Sequence, residues 1–219
     1  MSHWGIARGI RITEESTNQV CNTKQVRGDG NCLIYSFFYA MYSLLKRQYS
    51  DIINEQLLFI VSTSSLIKSK FGLSSDACVS RIVDLHYRII KSSHPDEENE
   101  KWQRVMQNLS PEIRSLMLQQ LDYMGFDQIA KQNVYQQLQG TRYLEIESIQ
   151  ILMRMFGLRT LRIHYKKKWI WIRNEYGVID ENISISLVGQ HYTPIISLDI
   201  DHQLPSSMVC DIGNYDLME

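Results

Sequence analysis

The sequence of 219 residues predicts an α+β fold in which a small, mostly antiparallel sheet packs against helices. A helical periodicity follows residue 32, the middle of the chain at about 51–140 looks mostly helical, and the last third alternates apolar and polar residues. Glycine and proline number only 11 and 4, and no linker-like segment divides the chain. We therefore expect a single domain, 1–219, with a helical lobe at about 51–140 inserted between the first helix and the sheet.

A glycine-rich turn precedes the first predicted helix. Residues 27–31 read Arg-Gly-Asp-Gly-Asn, which is typical of a turn. The helix is predicted from Cys32 to about Arg47, because its apolar residues recur at steps of three and four. These residues are Ile34, Phe37, Phe38, Met41, Leu44 and Leu45. One face of this helix should therefore lie in the core.

The predicted helical lobe carries its own start and stop signals. Ser110-Pro111-Glu112 predicts a helix start, with Ser110 as the N-cap and Pro111 in the first turn. Gly125 is a plausible end of that helix. His86 lies on an apolar helical face, so it is interpreted as a core residue, and the polar residues 94–100 are interpreted as a loop.

The last third is predicted to begin with a helix at 144–156 that ends at Gly157. Residues 161–165 alternate as a strand does, and 166–168 form a turn of three lysines. Further strands are predicted at 169–172, 183–188 and 192–200. Consecutive strands joined by short turns favour antiparallel pairing.

Composition excludes several classes of protein. The formal net charge is -1, which is not the basic footprint of a general nucleic-acid binder, so no nucleic-acid partner is expected. Hydrophobic residues make up 44%, which argues against a mainly disordered chain. No apolar run reaches the length of a membrane span, and residues 1–9 lack the apolar region of a secretory signal. We therefore expect a cytoplasmic protein in a reducing compartment.

The four cysteines, at 21, 32, 78 and 210, show no C-x-x-C spacing, so neither a zinc ribbon nor a thioredoxin-type site is expected. Cys32 differs from the others because it follows the glycine turn and opens a helix. Unpaired N–H groups and the positive dipole end of a helix stabilise a thiolate, which should lower the pKa of Cys32. The same N–H groups can face a developing oxyanion. The alternative interpretation is a buried cysteine at an ordinary junction between a loop and a helix.

A thiolate nucleophile needs a base, and the chain offers six histidines. His191 is the best candidate because it follows Val188-Gly189-Gln190, between two apolar strands, where it is held in place and yet reachable. The alternative interpretation is a turn histidine without a catalytic role.

These residues carry a resemblance. Residues 29–33, Asp-Gly-Asn-Cys-Leu, together with Tyr35, resemble the cysteine motif of the ovarian-tumour (OTU) family of deubiquitinases. The pattern Ile-x-Leu…His-Tyr at 185–192 is similar to the histidine motif of that family. Residues 143–157 resemble the family's helix before the central strands. The resemblance covers about 26–47 and 141–198, and the middle lobe carries no match.

The resemblance implies a papain-like OTU fold and a cysteine isopeptidase that hydrolyses ubiquitin or polyubiquitin linkages without a metal or an organic cofactor. Carried over residue by residue, Cys32 is the nucleophile and His191 is the general base. Asp29 would shape the oxyanion loop or act as the third residue of a triad. Backbone N–H groups near Gly30 and Asn31 would form the oxyanion hole.

The sequence departs from the family pattern two residues after His191, where members commonly have Asp or Asn. Here the residue is Thr193, whose hydroxyl carries no charge to stabilise an imidazolium. Several alternatives for the orienting residue stay open. They are Asp29 as the first choice, then Asn182, Asp180, Asp199 and Thr193. A Cys–His pair without a third residue is also compatible with activity.

Other assignments are weaker. Tyr192, next to His191, is either a wall of the channel for the ubiquitin tail or a packing residue. The helical lobe either holds the ubiquitin body or only stabilises the fold. Two other functions stay open: a catalytically weak ubiquitin-binding module, and a cysteine hydrolase for another ubiquitin-like modifier or an acyl substrate. Because the family includes proteins of viruses and intracellular bacteria, delivery into the cytosol of a host cell is a further hypothesis. The sequence indicates no oligomeric state.

Overall fold

A computed structural model describes residues 5–53, 76–140, 143–177 and 179–200. Within these ranges the helices are α1 (Cys32–Ile53), α2 (Asp76–Ile90), α3 (Asn99–Leu121), α4 (Gln128–Gln139) and α5 (Ile146–Met155). The strands are β1 (Ile10–Ser16), β2 (Gln19–Thr23), β3 (Leu158–Tyr165), β4 (Lys168–Asn174), β5 (Ile179–Val188) and β6 (His191–Ile200). The predicted α+β class is confirmed.

The described strands form one six-stranded sheet in the order β1-β4-β3-β5-β6-β2. Neighbouring strands are antiparallel, except that β3 and β5 run parallel with Ile163 opposite Ile185. The predicted mostly antiparallel sheet is therefore confirmed. β1 and β2 were not predicted from the sequence.

β1 and β2 lie at opposite edges of the sheet although only Thr17 and Asn18 separate them in the chain. The sheet must therefore curl until its two edges come close together at that end. The Thr17 backbone N–H donates to the Lys167 carbonyl at 2.9 Å, and the Trp169 indole donates to the Gln19 side chain at 2.9 Å. The first bond continues the pairing of β1 with β4, and the second joins β4 to β2 and so helps to close the curled sheet.

The helices cover one face of the sheet, with α1 against β5 and β6, and α5 against β3 and β4. Phe37 and Phe38 of α1 pack edge-on against Phe156, with ring centroids 5.9 and 4.7 Å away. The His86 ring stacks on the Phe156 ring, with the two centroids 4.3 Å apart. His86 is buried there, which confirms that it is a core residue. Burial disfavours the charged imidazolium and lowers the pKa of His86 to about 3.

α1 begins at Cys32, as predicted, and continues to Ile53. The predicted helix start at Ser110 is wrong, because Ser110 and Pro111 lie inside α3. Upstream residues such as Trp102 and Met106 are buried, so packing extends the helix toward Asn99. Ser110 does not cap the helix, since its hydroxyl donates to the Met106 carbonyl one turn earlier, at 2.8 Å.

Two predicted boundaries of the last third are confirmed. α5 ends at Met155, and Gly157 follows with φ +65°, the left-handed conformation that glycine adopts most readily. Lys166 and Lys167 form the predicted turn between β3 and β4, with φ of 48° and 58°. Residues 54–75 of the predicted lobe lie outside the described part of the chain. Among the helices that the structure describes, none has the length and apolar character needed to cross a membrane.

Candidate active site

The turn before α1 is held by the carboxylate of Asp29. Its Oδ1 atom accepts a hydrogen bond from the Asn31 backbone N–H at 3.0 Å, and its Oδ2 atom accepts one from the Tyr35 hydroxyl at 2.6 Å. Gly30 has φ +86°, a conformation that strains a residue with a Cβ atom. The Asp-Gly-Asn sequence therefore builds a fixed turn that ends at the first residue of α1.

Arg114 of α3 holds the same turn from the helical side. Its guanidinium is buried and donates to the Gly30 carbonyl at 2.8 Å and to the Asn31 side-chain oxygen at 2.9 Å. It also donates to the carbonyls of Gln137 and Gly140, at 2.7 and 3.1 Å. One side chain thus ties the turn to α3 and to the end of α4. Arg114 was not predicted as a site residue, because an arginine on a helix gives no signal in the sequence that it is buried.

Cys32 opens α1 with its side chain 1% exposed. The Tyr192 backbone N–H donates to its sulfur at 3.5 Å, and the sulfur lies 4.0 Å from the Gln190 carbonyl oxygen. Gln190 and Tyr192 are the two residues that flank His191. The sulfur therefore lies against the backbone that carries the histidine.

His191 begins β6 directly after a two-residue turn, Gly189–Gln190, and pairs with Val188. Gly189 has φ +63°, which lets the hairpin turn within two residues. The imidazole lies beside the turn before α1, since a Cβ atom placed on Gly28 would be 3.8 Å from both Cε1 and Nδ1. The structure thus brings together Cys32, its glycine turn and His191, as the sequence predicts.

The electrostatic environment of Cys32 differs from the prediction. Burial raises the pKa of the thiol, and the charge of Asp29 raises it further. The N–H groups of Tyr192 and Leu33 lower it, but burial is the larger cause and the net pKa is raised. The expectation that the helix start lowers the pKa of Cys32 is therefore wrong, because desolvation outweighs the N–H groups.

Asp29 has both carboxylate oxygens engaged within the turn. In the described part of the chain, no hydrogen bond joins it to His191. It therefore fits the loop-shaping role and not the role of orienting the imidazole. Its bond to the Asn31 N–H also occupies a donor that was expected in the oxyanion hole, which leaves the first-turn N–H groups of Cys32 and Leu33 facing the sulfur.

Thr193 is 5% exposed and lies two residues after His191, so both side chains project from the same face of β6. Its buried hydroxyl has no hydrogen-bond partner among the described residues. It is adjacent to the histidine in the strand, but it does not orient the imidazole in this arrangement.

The structure does not bring the other three candidates for the third residue to His191. Asn182 and Asp180 lie near the start of β5, roughly 20 Å or more from its Val188 end. Asp180 pairs with Arg159 there. Asp199 lies at the far end of β6, roughly 26 Å from His191, and accepts a hydrogen bond from the Asn22 amide at 2.6 Å. Assigning any of these three as the orienting residue is therefore wrong.

Tyr192 does not line an open channel. Its side chain is 3% exposed and belongs to the hydrophobic core, so the assignment as a channel wall is wrong. The residue contributes to the site through its backbone N–H instead.

A cavity of about 500 Å³ adjoins Asn31, the residue before the cysteine. Arg114 and Pro111 of α3 line it together with Leu138 and Gly140 at the end of α4. The described part of the helical lobe therefore contributes to the surroundings of the candidate nucleophile, and does not lie apart from it.

No protein-family model matches this chain, and no curated protein matches it. Among the described residues, no three His, Cys, Asp or Glu side chains lie close enough together to hold a metal ion.

Proposed function

We propose that the protein is a cysteine hydrolase of the deubiquitinase type. The observation that carries this proposal is the position of the Cys32 sulfur, which lies at the start of α1 against the backbone on both sides of His191. A nucleophile beside a histidine, with backbone N–H groups around the sulfur, is the arrangement that thiol-dependent acyl transfer needs.

The reaction follows from this arrangement. His191 takes the thiol proton of Cys32, and the thiolate attacks the carbonyl carbon at the C-terminal glycine of ubiquitin. A C–S bond forms while N–H groups of the first turn of α1 stabilise the oxyanion. His191 then gives its proton to the departing amine as the C–N bond breaks. Water hydrolyses the thioester and restores the free thiol.

The raised pKa of Cys32 determines when the proton moves. In the substrate-free protein the thiol form is favoured, because the sulfur is buried. A raised thiol pKa favours transfer of the proton to His191 during the attack, with His191 as the general base. No metal or organic cofactor enters this mechanism.

The choice of ubiquitin as the substrate rests on the resemblance of residues 29–35 and 185–192 to the two motifs of OTU deubiquitinases. The geometry supports Cys–His chemistry, and the resemblance supports the substrate class. The cavity that adjoins Asn31 offers a place for a further part of the substrate.

The test is a reaction with a ubiquitin probe that carries an electrophile at its C-terminus. We expect a covalent adduct that increases the mass by one ubiquitin, disappears in Cys32→Ala and forms much more slowly in His191→Ala. Cys21→Ala is the matched control and should react like the wild type, because Cys21 lies on β2 outside the site. Failure of the wild-type protein to form an adduct, although iodoacetamide modifies Cys32, would overturn the proposal.

A second candidate is a ubiquitin-binding module with little catalysis. It is favoured by Thr193, which provides no charge beside His191, and by the raised pKa of the Cys32 thiol. Tight binding of ubiquitin without an adduct would identify this function. Parallel probes built on other ubiquitin-like modifiers complete the test, because exclusive reaction with one of them would assign a different substrate.

A further inference from the structure

A polar cleft with a volume of about 850 Å³ lies at the end of the sheet opposite the His191 hairpin. In the row of residues Ile12, Ile172, Leu161 and Ile183, the side chains are wholly or partly buried on the helical side. The next row is Arg11, Arg173, Thr160 and Asn182, and its side chains project from the other face because strand residues alternate. All four residues of this second row line the cleft.

Arg11 and Arg173 are directly opposite each other in the antiparallel pair of β1 and β4. Like charges in this position are destabilising. Neither guanidinium has an ion-pair or hydrogen-bond partner among the described residues, and Glu175 is the one carboxylate among the residues that line the cleft. An anion bound between the two arginines would remove the repulsion.

A third arginine lines the cleft. Arg159 of β3 is exposed there beside Thr160, and its guanidinium pairs with Asp180. The Arg159 Nε donates to the Gly177 carbonyl at 3.1 Å, which fixes the side chain in place. A Cβ atom at Gly177 would overlap the Arg159 backbone, so this approach requires glycine.

The lining of the cleft fits a phosphate. A guanidinium presents a planar fork of donors that matches two phosphate oxygens, and Arg11 and Arg173 provide two such forks side by side. Arg159 lies next to them, and its guanidinium already pairs with Asp180. Trp171 adds an aromatic ring, and Asn182 adds an amide that can donate and accept. The volume is in the range of small-molecule sites and exceeds what a single phosphate fills.

We propose that this arginine cleft, formed by Arg11, Arg159 and Arg173 with Trp171 and Asn182, binds a small phosphate-bearing ligand. Arg11 and Arg173 hold the phosphate oxygens between them. The source of the phosphate is either a free polyphosphate or a nucleotide whose base packs on Trp171. The cleft is roughly 20 Å from the His191 hairpin along β5, so this inference does not depend on the proposed hydrolase function.

The test is calorimetric titration of the full chain with pyrophosphate, ADP and adenosine at constant ionic strength. We expect saturable binding of the two phosphate compounds and none of adenosine. Arg11→Gln and Arg173→Gln should each weaken binding by about tenfold or more, the scale of a charge-assisted hydrogen bond. Arg104→Gln is the matched control, since Arg104 is exposed on α3 and its replacement removes the same charge elsewhere.

Tighter binding of ADP than of pyrophosphate would support the proposal with a nucleotide as the source, and equal binding would support it with a free polyphosphate. Absence of saturable binding, or unchanged affinity in the Arg11→Gln/Arg173→Gln double variant, would overturn it. The single variants Arg11→Gln and Arg173→Gln each remove the like-charge pair and no core contact. Their melting temperatures should therefore be equal to or above that of the wild type. Arg173→Lys retains the charge without the fork and should also bind more weakly.

Discussion

The backbone N–H of Tyr192 donates a hydrogen bond to the sulfur of Cys32 over 3.5 Å. This contact joins the start of the first helix to the last strand of the sheet, at the residue next to His191. It favours the thiolate, while burial favours the thiol and is the stronger influence on the pKa. The thiol form of Cys32 is therefore favoured beside His191.

The alkylation of Cys32 should show this raised pKa. Iodoacetamide reacts with the thiolate, so the rate should rise with pH and inflect above about 8.5, the ordinary value for a cysteine. Mass spectrometry of the peptide that contains Cys32 measures the rate, and Cys32→Ala gives the background from other cysteines. A rapid plateau already at pH 6 would instead indicate a preformed thiolate–imidazolium pair.

Asp29→Ala should lower turnover of a fluorogenic ubiquitin substrate on the order of a hundredfold, because the turn beside Cys32 loses both hydrogen bonds of the Asp29 carboxylate. The same change should move the inflection of Cys32 alkylation to lower pH, since the charge of Asp29 raises that pKa. Asp29→Asn keeps an acceptor for the Asn31 N–H, so it should retain more turnover while shifting the inflection similarly. Unchanged turnover in Asp29→Ala would exclude the loop-shaping role.

Arg114→Ala should destabilise the protein by about 1–3 kcal/mol, because it leaves buried carbonyls at Gly30 and Gln137 without their donor. Urea denaturation measures this cost. Turnover should fall as well, mainly in kcat, since the turn that positions Cys32 loses its support from α3. Arg114→Lys retains the charge but not the fork, so it should recover stability only in part. Full activity in Arg114→Ala would show that the turn before α1 keeps its conformation without Arg114.

Thr193→Val should leave turnover within about threefold, a change of less than 1 kcal/mol in the barrier, because the hydroxyl has no partner among the described residues. The free energy of unfolding should stay equal or rise, since a buried polar atom without a partner is removed. Thr193→Asn provides a longer acceptor and should raise turnover if it reaches the imidazole of His191. A loss of tenfold or more in Thr193→Val would show that the hydroxyl orients His191 during the reaction.

His86 should make the protein sensitive to acid. Its folded-state pKa is lowered to about 3 from an ordinary value of 6.5, so the unfolded chain binds the proton first as the pH falls. Its contribution to stability is full above pH 6.5 and is lost as the pH decreases toward 3. Urea denaturation at several pH values should show a shallower acid slope for His86→Leu than for the wild type. An identical slope in the two proteins would contradict this account.

The candidate site could be predicted because its signals are local. The turn at 27–31, Cys32 at a helix start and His191 after a two-residue turn are each visible within a few neighbouring residues. The third residue could not be predicted, because Asn182 and Asp199 are near His191 in sequence but far along extended strands. Distance along a strand grows by about 3.3 Å per residue, which sequence proximity conceals.

The parts of the fold that were not predicted depend on distant contacts. β1 and β2 are short and largely exposed, and they become strands by pairing with β4 and β6 from the other end of the chain. Pro111 lies inside α3 because burial of Trp102 and Met106 extends the helix through a residue that usually begins one. Neither effect leaves a pattern within a short window of sequence.

The curled sheet also determines the order in which this protein can be completed. Both of its edges come from the first 23 residues, whereas the four strands between them come from Leu158 onward. During synthesis the two edge strands therefore wait unpaired until β4 and β6 have been made, and pairing between such distant segments folds slowly. The last strand begins with His191 itself. Synthesis must therefore pass residue 191 before Cys32 and His191 can come together, so the candidate site is among the last parts of this sheet to form.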